Sequence, residues 1–364
     1  MSRIAIIDTS IDPAYIGGRT VEYVNVCDDI CNDYDSGISH GSLCAITLDC
    51  CASDYDLVNI RIFDENKLKV FGEIEVLAKA LNLCRELCVD VVSLSAMSSI
   101  LSDSKHLYDI TKRLAENAVI ISALDNRRYI SVPTSYPHIV GVRSDIAGLL
   151  SLGEIAYSAD DPYNANIFAN CDFAFLRNHN CAPSNSIAVP VVAAHVNGLL
   201  NQGCSVWEIK SLLESCKLYP VDPQDENLAY HVSSDDREIP VVYLARYTVD
   251  MCQELMDAFC EDYEVQSTGL SFLEGSYDVR IKRLSRIDDI GYELRFMERH
   301  YKTDLIFILG SYNQLWDIKS IIEIDIWLTK LDNGGVLIGY DNEELYEVDE
   351  QATARLHEIL TNAS

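Results

Sequence analysis

Long apolar segments and positive charge are both scarce in this 364-residue sequence. It contains no run of 18 or more apolar residues, the length that a membrane-spanning helix needs. Lys and Arg together number 28 against 57 Asp and Glu, which gives a formal net charge of −29. A chain this acidic repels phosphate backbones and anionic lipids, so we expect neither nucleic acid nor a membrane as a partner. Basic peptides would be attracted instead.

The cysteines lack the spacing of a metal site and the even number of a disulfide framework. There are 13 of them, and no close pair has the CxxC spacing that presents two thiolates to one zinc ion. The close pairs are Cys27/Cys31, Cys50/Cys51 and Cys84/Cys88. Met1 leads directly into an apolar segment without the pattern of a signal peptide. We therefore expect reduced thiols, no metal and a cytoplasmic protein.

The order of the apolar segments predicts two α/β domains, since 48% hydrophobic residues allow two cores to be buried. Short β-branched runs alternate with amphipathic stretches, which is typical of a parallel sheet with helices on its faces. Prolines and a polar stretch between residues 219 and 237 indicate a linker, so we place the domains at 1–235 and 236–364. In the first domain we predict strands over 3–7, 57–61, 89–94, 118–122 and 139–142, and helices over 74–88 and 105–117.

The second, smaller domain shows the same alternation. We predict its strands over 239–244, 277–281, 305–309 and 335–339, and its helices over 249–259, 292–301, 315–330 and 350–360. It has no GxxxxGK[ST] loop, and Gly334-Gly335 is more simply a turn before a strand, so a nucleotide-binding enzyme is not favoured.

Three short segments place a catalytic residue type at the end of a strand or the start of a helix. Asp8 ends an apolar strand, where a buried carboxylate can orient a histidine. His40 stands at a predicted helix start. Ser186 opens a helix of small residues in which backbone N–H groups and the helix dipole can stabilise an oxyanion. Each residue alone is more often a turn or cap residue, so the hypothesis of a shared site depends on all three together.

Together these segments resemble the signatures of the subtilisin-like serine proteases: an Asp-Thr-Gly box, a His-Gly-Thr box and a Gly-Thr-Ser-Met-Ala-x-Pro box. The order Asp, His, Ser is also that of subtilisin. The resemblance covers residues 3 to about 218 and implies a subtilisin-like parallel sheet flanked by helices, whereas the second domain matches no family. The matching segments are Asp8-Thr9-Ser10, His40-Gly41-Ser42 and Ser184-Asn185-Ser186-Ile187-Ala188-Val189-Pro190.

The resemblance implies a role for individual residues. Asp8, His40 and Ser186 would form a catalytic triad, and Asn126 would donate a hydrogen bond to the oxyanion. No cofactor is needed for this chemistry. The implied substrate contacts lie in three short segments: Ser95, Ala96 and Met97; Ala123, Leu124 and Asp125; and Ser131.

Side chains replace glycine at several positions of the family pattern, which predicts a narrowed cleft and narrow specificity. These positions are Ser10, Met97, Asp125 and Ser184. The carboxylate of Asp125 would favour Lys or Arg immediately before the scissile bond. Alternatively, Arg127 and Arg128 neutralise it in a structural pair. The sequence leaves both interpretations open.

The sequence thus predicts a serine endopeptidase that cleaves a dedicated substrate through an acyl-enzyme. A peptide precursor that loses its leader is one candidate substrate. The alternative is a catalytically degenerate protein of the same fold that acts as a peptide-binding or interaction module. The second domain would then do the binding, whereas in an enzyme it would recognise substrate or regulate access.

Overall fold

The computed structural model describes residues 1–27, 37–63, 74–159, 161–219, 238–340 and 343–363. The chain divides into two compact units, residues 1–99 with 103–222 and residues 100–102 with 223–364. The predicted domain boundary at residue 236 lies outside the described residues, so it stays a prediction.

The first unit contains one mixed sheet whose described strands are β1 (Ser2–Asp8), β2 (Val21–Asn25), β3 (Tyr55–Arg61), β4 (Val91–Leu94), β5 (Val119–Ala123), β6 (Val140–Ser144), β7 (Ile155–Tyr157) and β8 (Ile167–Ala169). Their order is β2-β3-β1-β4-β5-β6-β8-β7. All neighbouring strands are parallel except β7, which runs antiparallel to β8. The five strands predicted for this unit are confirmed, with ends shifted by one or two residues.

Helices cover this sheet, and its central strand shows why. Ile4 and Ile6 of β1 enter one core with residues of α1, α5 and α6, while Ala5 and Ile7 on the opposite face are equally buried. A strand that is buried on both faces belongs to a parallel sheet with helices on both sides. The described helices are α1 (His40–Cys51), α2 (Ile74–Glu86), α3 (Ser104–Leu114), α4 (Ala174–Asn178), α5 (Asn185–Asn201) and α6 (Val206–Glu214).

The second unit contains a second, mostly parallel sheet. Its described strands are β9 (Val241–Ala245), β10 (Ser267–Ser271), β11 (Ile281–Arg283), β12 (Leu305–Gly310), β13 (Ile326–Lys330), β14 (Gly335–Tyr340) and β15 (Glu343–Val348). The order is β11-β10-β12-β9-β13-β14-β15; β14 runs antiparallel to both β13 and β15, and the other neighbouring strands are parallel. The described helices are α7 (Val249–Tyr263), α8 (Ile290–His300), α9 (Tyr312–Lys319) and α10 (Asp349–Ala363).

Two predictions for the second unit are wrong. The helix predicted over 315–330 ends at Lys319, and its second half is strand β13, because pairing with β9 and β14 on both sides outweighs the helical pattern. The strand predicted over 277–281 is β11, which starts only at Ile281. Asp278 makes a turn before it, since its carboxylate accepts the backbone N–H of Arg280 and its carbonyl accepts that of Ile281.

Both helices predicted for the first unit end earlier than predicted, and the one predicted over 105–117 ends at Leu114. The helix predicted over 74–88 ends at Glu86, because Cys88 adopts a left-handed conformation with φ of 51°.

Among the described helices, none combines the length and the apolar composition of a membrane-spanning segment.

Candidate active site

The carboxyl ends of the parallel strands of the first unit meet at one edge of the sheet, and Asp8 is the last residue of β1 at that edge. Its side chain is buried, with 1% of the residue exposed. The loop that follows is held by Asn59 of β3, whose side chain accepts the backbone N–H of Ile11 and donates to the carbonyl of Thr9. A buried carboxylate at a fixed position is therefore available to a neighbouring side chain.

Helix α1 presents His40 to this carboxylate. Ser39 caps the helix by accepting the N–H of Ser42 at 3.1 Å, which makes His40 the first helical residue. Gly41 lets the helix approach the loop after β1, because a Cβ there would lie 2.4 Å from the carbonyl oxygen of Thr9. The Gly41 N–H also donates to the hydroxyl of Thr9 at 2.8 Å.

A chain of hydrogen bonds links Asp8, His40 and Ser186. His40 Nδ1 lies 2.8 and 3.0 Å from the two carboxylate oxygens of Asp8. His40 Nε2 lies 3.0 Å from Ser186 Oγ. The tautomer that fits has Nδ1–H donating to the carboxylate and Nε2 accepting the serine hydroxyl proton. Asp8 and His40 are 32 residues apart in the sequence, and His40 and Ser186 are 146 residues apart.

The charges of this pair perturb each other. Burial alone would raise the pKa of the Asp8 carboxyl, but the positive charge of His40 and hydrogen bonds from His40, Thr9 and Ser95 outweigh it, so this pKa is lowered. The Asp8 carboxylate in turn raises the pKa of His40 well above its ordinary value of 6.5, and Cys44 adds to the effect. A proton taken up by His40 is therefore stabilised.

Cys44 is a buried thiol beside the three residues. Its Sγ lies 3.7 Å from His40 Nδ1, 3.8 Å from Asp8 Oδ2 and 3.6 Å from Ser95 Oγ. The ligand atoms of Asp8, His40 and Cys44 lie within 4.8 Å of one another and could hold a metal ion. The same atoms already bond to one another, and burial raises the pKa of the thiol, so it stays protonated at neutral pH.

Ser186 is the second residue of α5, where backbone N–H groups have no acceptor inside the helix. Pro190 lies four residues further and has no N–H to give to the Ser186 carbonyl. The thiol of Cys44 donates to that carbonyl instead, with Sγ 3.8 Å from the oxygen. The first turn of α5 therefore combines a reactive hydroxyl with N–H groups that can receive negative charge.

Asn126 lies beside this turn, as the resemblance implies. Its Oδ1 accepts the backbone N–H of Asn185 at 3.1 Å, which fixes the orientation of the side-chain amide. The residue is exposed, so its amide can reach a ligand.

Asn185 connects this helix turn to the sheet. Strands β5 and β6 pair up to Ala123 and Val142 and then separate. The Asn185 side chain fills the gap, since its Oδ1 accepts the N–H of Ser144 at 2.8 Å and its Nδ2 donates to the carbonyl of Leu124 at 3.0 Å. Asn185 thus connects the two strand ends through its side-chain amide and Asn126 through its backbone N–H, directly before Ser186.

The segment after β4 contains three of the predicted substrate contacts. Ser95 and Met97 are half-buried and Ala96 is buried. The next residue, Ser98, exchanges two backbone hydrogen bonds of 2.8 Å with Val132. This bridge joins the segment to the loop that carries Ser131.

The other predicted contacts are less accessible. Ala123 and Leu124 are buried, and their carbonyls accept hydrogen bonds from Thr134 and Asn185. Ser131 is fully buried, and its hydroxyl has no hydrogen-bond partner among the described residues. The contact of these residues with a substrate stays a prediction.

The residues that replace family glycines adopt ordinary backbone conformations. None of Ser10, Asp125 and Ser184 is among the described residues with positive φ, and Ser184 has φ of −149°. Ser184 Oγ lies 2.9 Å from Ser186 Oγ, inside the site. Asp125 accepts the backbone N–H of Arg127 at 2.6 Å, a local turn. Side chains are therefore accommodated here without backbone strain.

Three residues of the site were not predicted. Asn185, Ser184 and Cys44 all lie within the quoted boxes or one turn beyond them, but composition does not reveal what their side chains contact. An Asn directly before the proposed nucleophile, followed by the apolar residues 187–194 of the same helix, was the available signal.

Three proteases are among the solved structures to which this chain is similar. A cold-adapted subtilisin-like serine proteinase is 18% identical with a TM-score of 0.42, over 58% of this chain and 81% of that chain. The prenylagaramide maturation protease PagA is 17% identical with a TM-score of 0.39, over 62% and 85%. A lanthipeptide protease is 16% identical with a TM-score of 0.45, over 61% and 81%. No family model matches the sequence, and no curated protein matches it.

Proposed function

We propose that the first unit is a serine endopeptidase with Asp8, His40 and Ser186 as its catalytic triad. The observation that carries this proposal is the continuous path from the buried Asp8 carboxylate through both His40 nitrogens to the Ser186 hydroxyl, with no gap above 3.0 Å. Three separate segments must fold together to produce it. A core histidine or a helix cap needs no such arrangement.

In the proposed reaction Ser186 Oγ attacks the carbonyl carbon of the scissile peptide bond while its proton passes to His40 Nε2. The Asp8 carboxylate stabilises the imidazolium that forms. His40 then gives the proton to the leaving amine, which departs and leaves an acyl-enzyme. Water, deprotonated by His40, attacks the ester carbonyl. The bond from the acyl carbon to Ser186 Oγ then breaks, the acid leaves, and His40 returns the proton to Ser186 Oγ.

The negative charge on the carbonyl oxygen needs donors at the moment of attack. Asn126 Nδ2 and the backbone N–H of Ser186 are the proposed pair, because the contact of Asn126 with Asn185 orients the amide and α5 contributes its positive end.

The proposed substrate is a dedicated peptide precursor. Ser184 places a hydroxyl beside the nucleophile, and Met97 adds a long side chain where the family pattern has glycine. Both reduce the room for an extended peptide, which favours narrow specificity. The cytoplasmic location stays a prediction.

A preference for Lys or Arg before the scissile bond is part of the proposal and depends on Asp125. The backbone N–H of Arg127 donates to one oxygen of the Asp125 carboxylate. Each carboxylate oxygen can accept more than one donor, so the group can still bind a cationic side chain. Fluorogenic peptides that differ at this residue test it. Selectivity for Arg over Leu should fall in Asp125→Gly, and an unchanged ratio would remove Asp125 from substrate recognition.

Labelling with a fluorophosphonate tests the catalytic proposal. The wild-type protein should be modified at Ser186, and Ser186→Ala should not react. Ser184→Ala is the matched control, since Ser184 lies only 2.9 Å away but makes no contact with His40 among the described hydrogen bonds. This control should still react at Ser186, as mapped by mass spectrometry. A folded wild-type protein that takes up no label would favour the degenerate peptide-binding alternative.

A further inference from the structure

The second unit has a groove of about 770 Å³, the size of clefts that hold ligands. Trp327 forms part of its lining and is 8% exposed. The ring covers Gly339, where a Cβ would lie 2.1 Å from a ring atom, so only glycine leaves room for it. Trp316 lines the same groove and is 58% exposed, so its ring is accessible to a ligand.

The other groove residues give it a strongly negative character. Five carboxylates and one ammonium line it, a formal charge of −4, and Glu343 and Glu344 are exposed. The charged lining residues are Glu238, Lys319, Glu323, Asp325, Glu343 and Glu344. An anionic ligand would be repelled from this groove, and a cationic one attracted.

The groove already holds one cation against its aromatic rings. Lys319 Nζ lies 5.2 Å from the ring centre of Trp316 and 5.9 Å from that of Trp327. Both distances are within the range of a cation–π interaction. Carboxylates around indole rings form the chemical environment that recognises an ammonium or guanidinium group.

We propose that this groove binds a basic segment of the peptide substrate, with a Lys or Arg side chain stacked on Trp316 and neighbouring cationic groups near Glu343 and Glu344. This inference rests on the proposed function, since it makes the second unit a recognition element for the peptide that the first unit cleaves. Both units belong to one chain, so binding at the groove raises the effective concentration of substrate without changing the chemical step.

Fluorescence anisotropy with the full chain carrying Ser186→Ala tests this proposal. The probe is a fluorescein-labelled peptide of four lysines alternating with alanines, and the comparison peptide has glutamate in place of each lysine. At low salt the lysine peptide should bind and the glutamate peptide should not. Glu343→Gln combined with Glu344→Gln should weaken binding about thirtyfold, since each of the two close charge pairs contributes roughly fivefold in water. Trp316→Ala should weaken it about two- to fivefold.

The matched control removes two charges elsewhere in the same unit. Glu254 and Asp262 are exposed residues of α7 that do not line the groove. Glu254→Gln combined with Asp262→Asn should change binding less than threefold. Equal losses in the two double variants, or no binding of the lysine peptide to the parent protein, would overturn the groove as the site. Binding is measured in a protein that lacks the Ser186 hydroxyl, so this outcome is independent of labelling at Ser186, which tests the proposed function.

Discussion

Replacing Asn185 by alanine should separate the positioning of the oxyanion donors from the stability of the fold. The substitution removes the acceptor of the Ser144 N–H and the donor to the Leu124 carbonyl, both in a region where Asn185 itself is 7% exposed. Each buried group left unsatisfied costs about 1–3 kcal/mol. We therefore expect the free energy of unfolding to fall by about 2–6 kcal/mol.

Turnover should fall as well. Complete loss of one oxyanion donor lowers kcat by about 10²–10³. Asn185→Ala keeps the backbone N–H that orients Asn126 but releases the turn that carries it, so the loss should stay below that limit, at roughly tenfold to a hundredfold. KM for a short peptide should change little, because the affected interaction develops mainly in the transition state.

Asn197 provides the matched control in the same helix. It is 2% exposed, accepts the hydroxyl of Ser2 and donates to the carbonyl of Ser53 at 2.9 Å, far from the site. Asn197→Ala should lose a similar free energy of unfolding, measured by urea denaturation, with kcat unchanged at a temperature where both variants stay folded. Equal losses of kcat in Asn185→Ala and Asn197→Ala would show that the effect is global destabilisation and would refute the positioning role.

Three more predictions follow from the same site. The kcat/KM should rise with pH, with an apparent pKa above 6.5, because Asp8 raises the pKa of His40. The stability that this pair contributes is complete below pH 6.5 and is lost as pH rises through the pKa of His40 in the folded state. The free energy of unfolding, measured by urea denaturation, should therefore fall over the pH range in which kcat/KM rises. Iodoacetamide should alkylate the exposed Cys88 well before the buried Cys44, as peptide mapping would show, and activity should survive the first modification; early loss of activity with Cys44 alkylated would contradict this. Asn126→Ala should lower kcat about 10²–10³ with little change in KM, and a pure KM effect would point to another donor.

The strands of both units were predicted best where they are continuous apolar runs. β12 is buried over its whole length and β1 at every position except Arg3, so their composition alone identifies them. β13 was missed because the apolar pattern of Ile326–Lys330 continues that of the preceding helix. Only pairing with its two neighbouring strands selects the extended form. β15 was missed because its side chains alternate between exposed and half-buried at the edge of the sheet.

The reacting groups of the site could be predicted because each has a residue type that its chemistry requires. A carboxylate at a strand end, a histidine at a helix start and a serine in a first helical turn are visible in the sequence, and their order links them. Their supporting contacts could not be predicted in the same way. Asn185 bridges β5 and β6 only because these strands separate after Ala123, and that separation is set by the helices and loops packed around them.

Ser184 is a second residue whose effect on the site could not be predicted from the sequence. Sequence comparison marks it as a replaced glycine, and the expected penalty for such a replacement is backbone strain. In the folded chain its φ of −149° is open to any residue, so the penalty does not arise. What the replacement adds is a hydroxyl 2.9 Å from the proposed nucleophile, which changes the hydrogen bonding of Ser186 while the fold is unaffected. A departure from a family pattern therefore has to be judged by the backbone conformation and neighbours of the new side chain, and here both favour an altered cleft over a lost catalytic site.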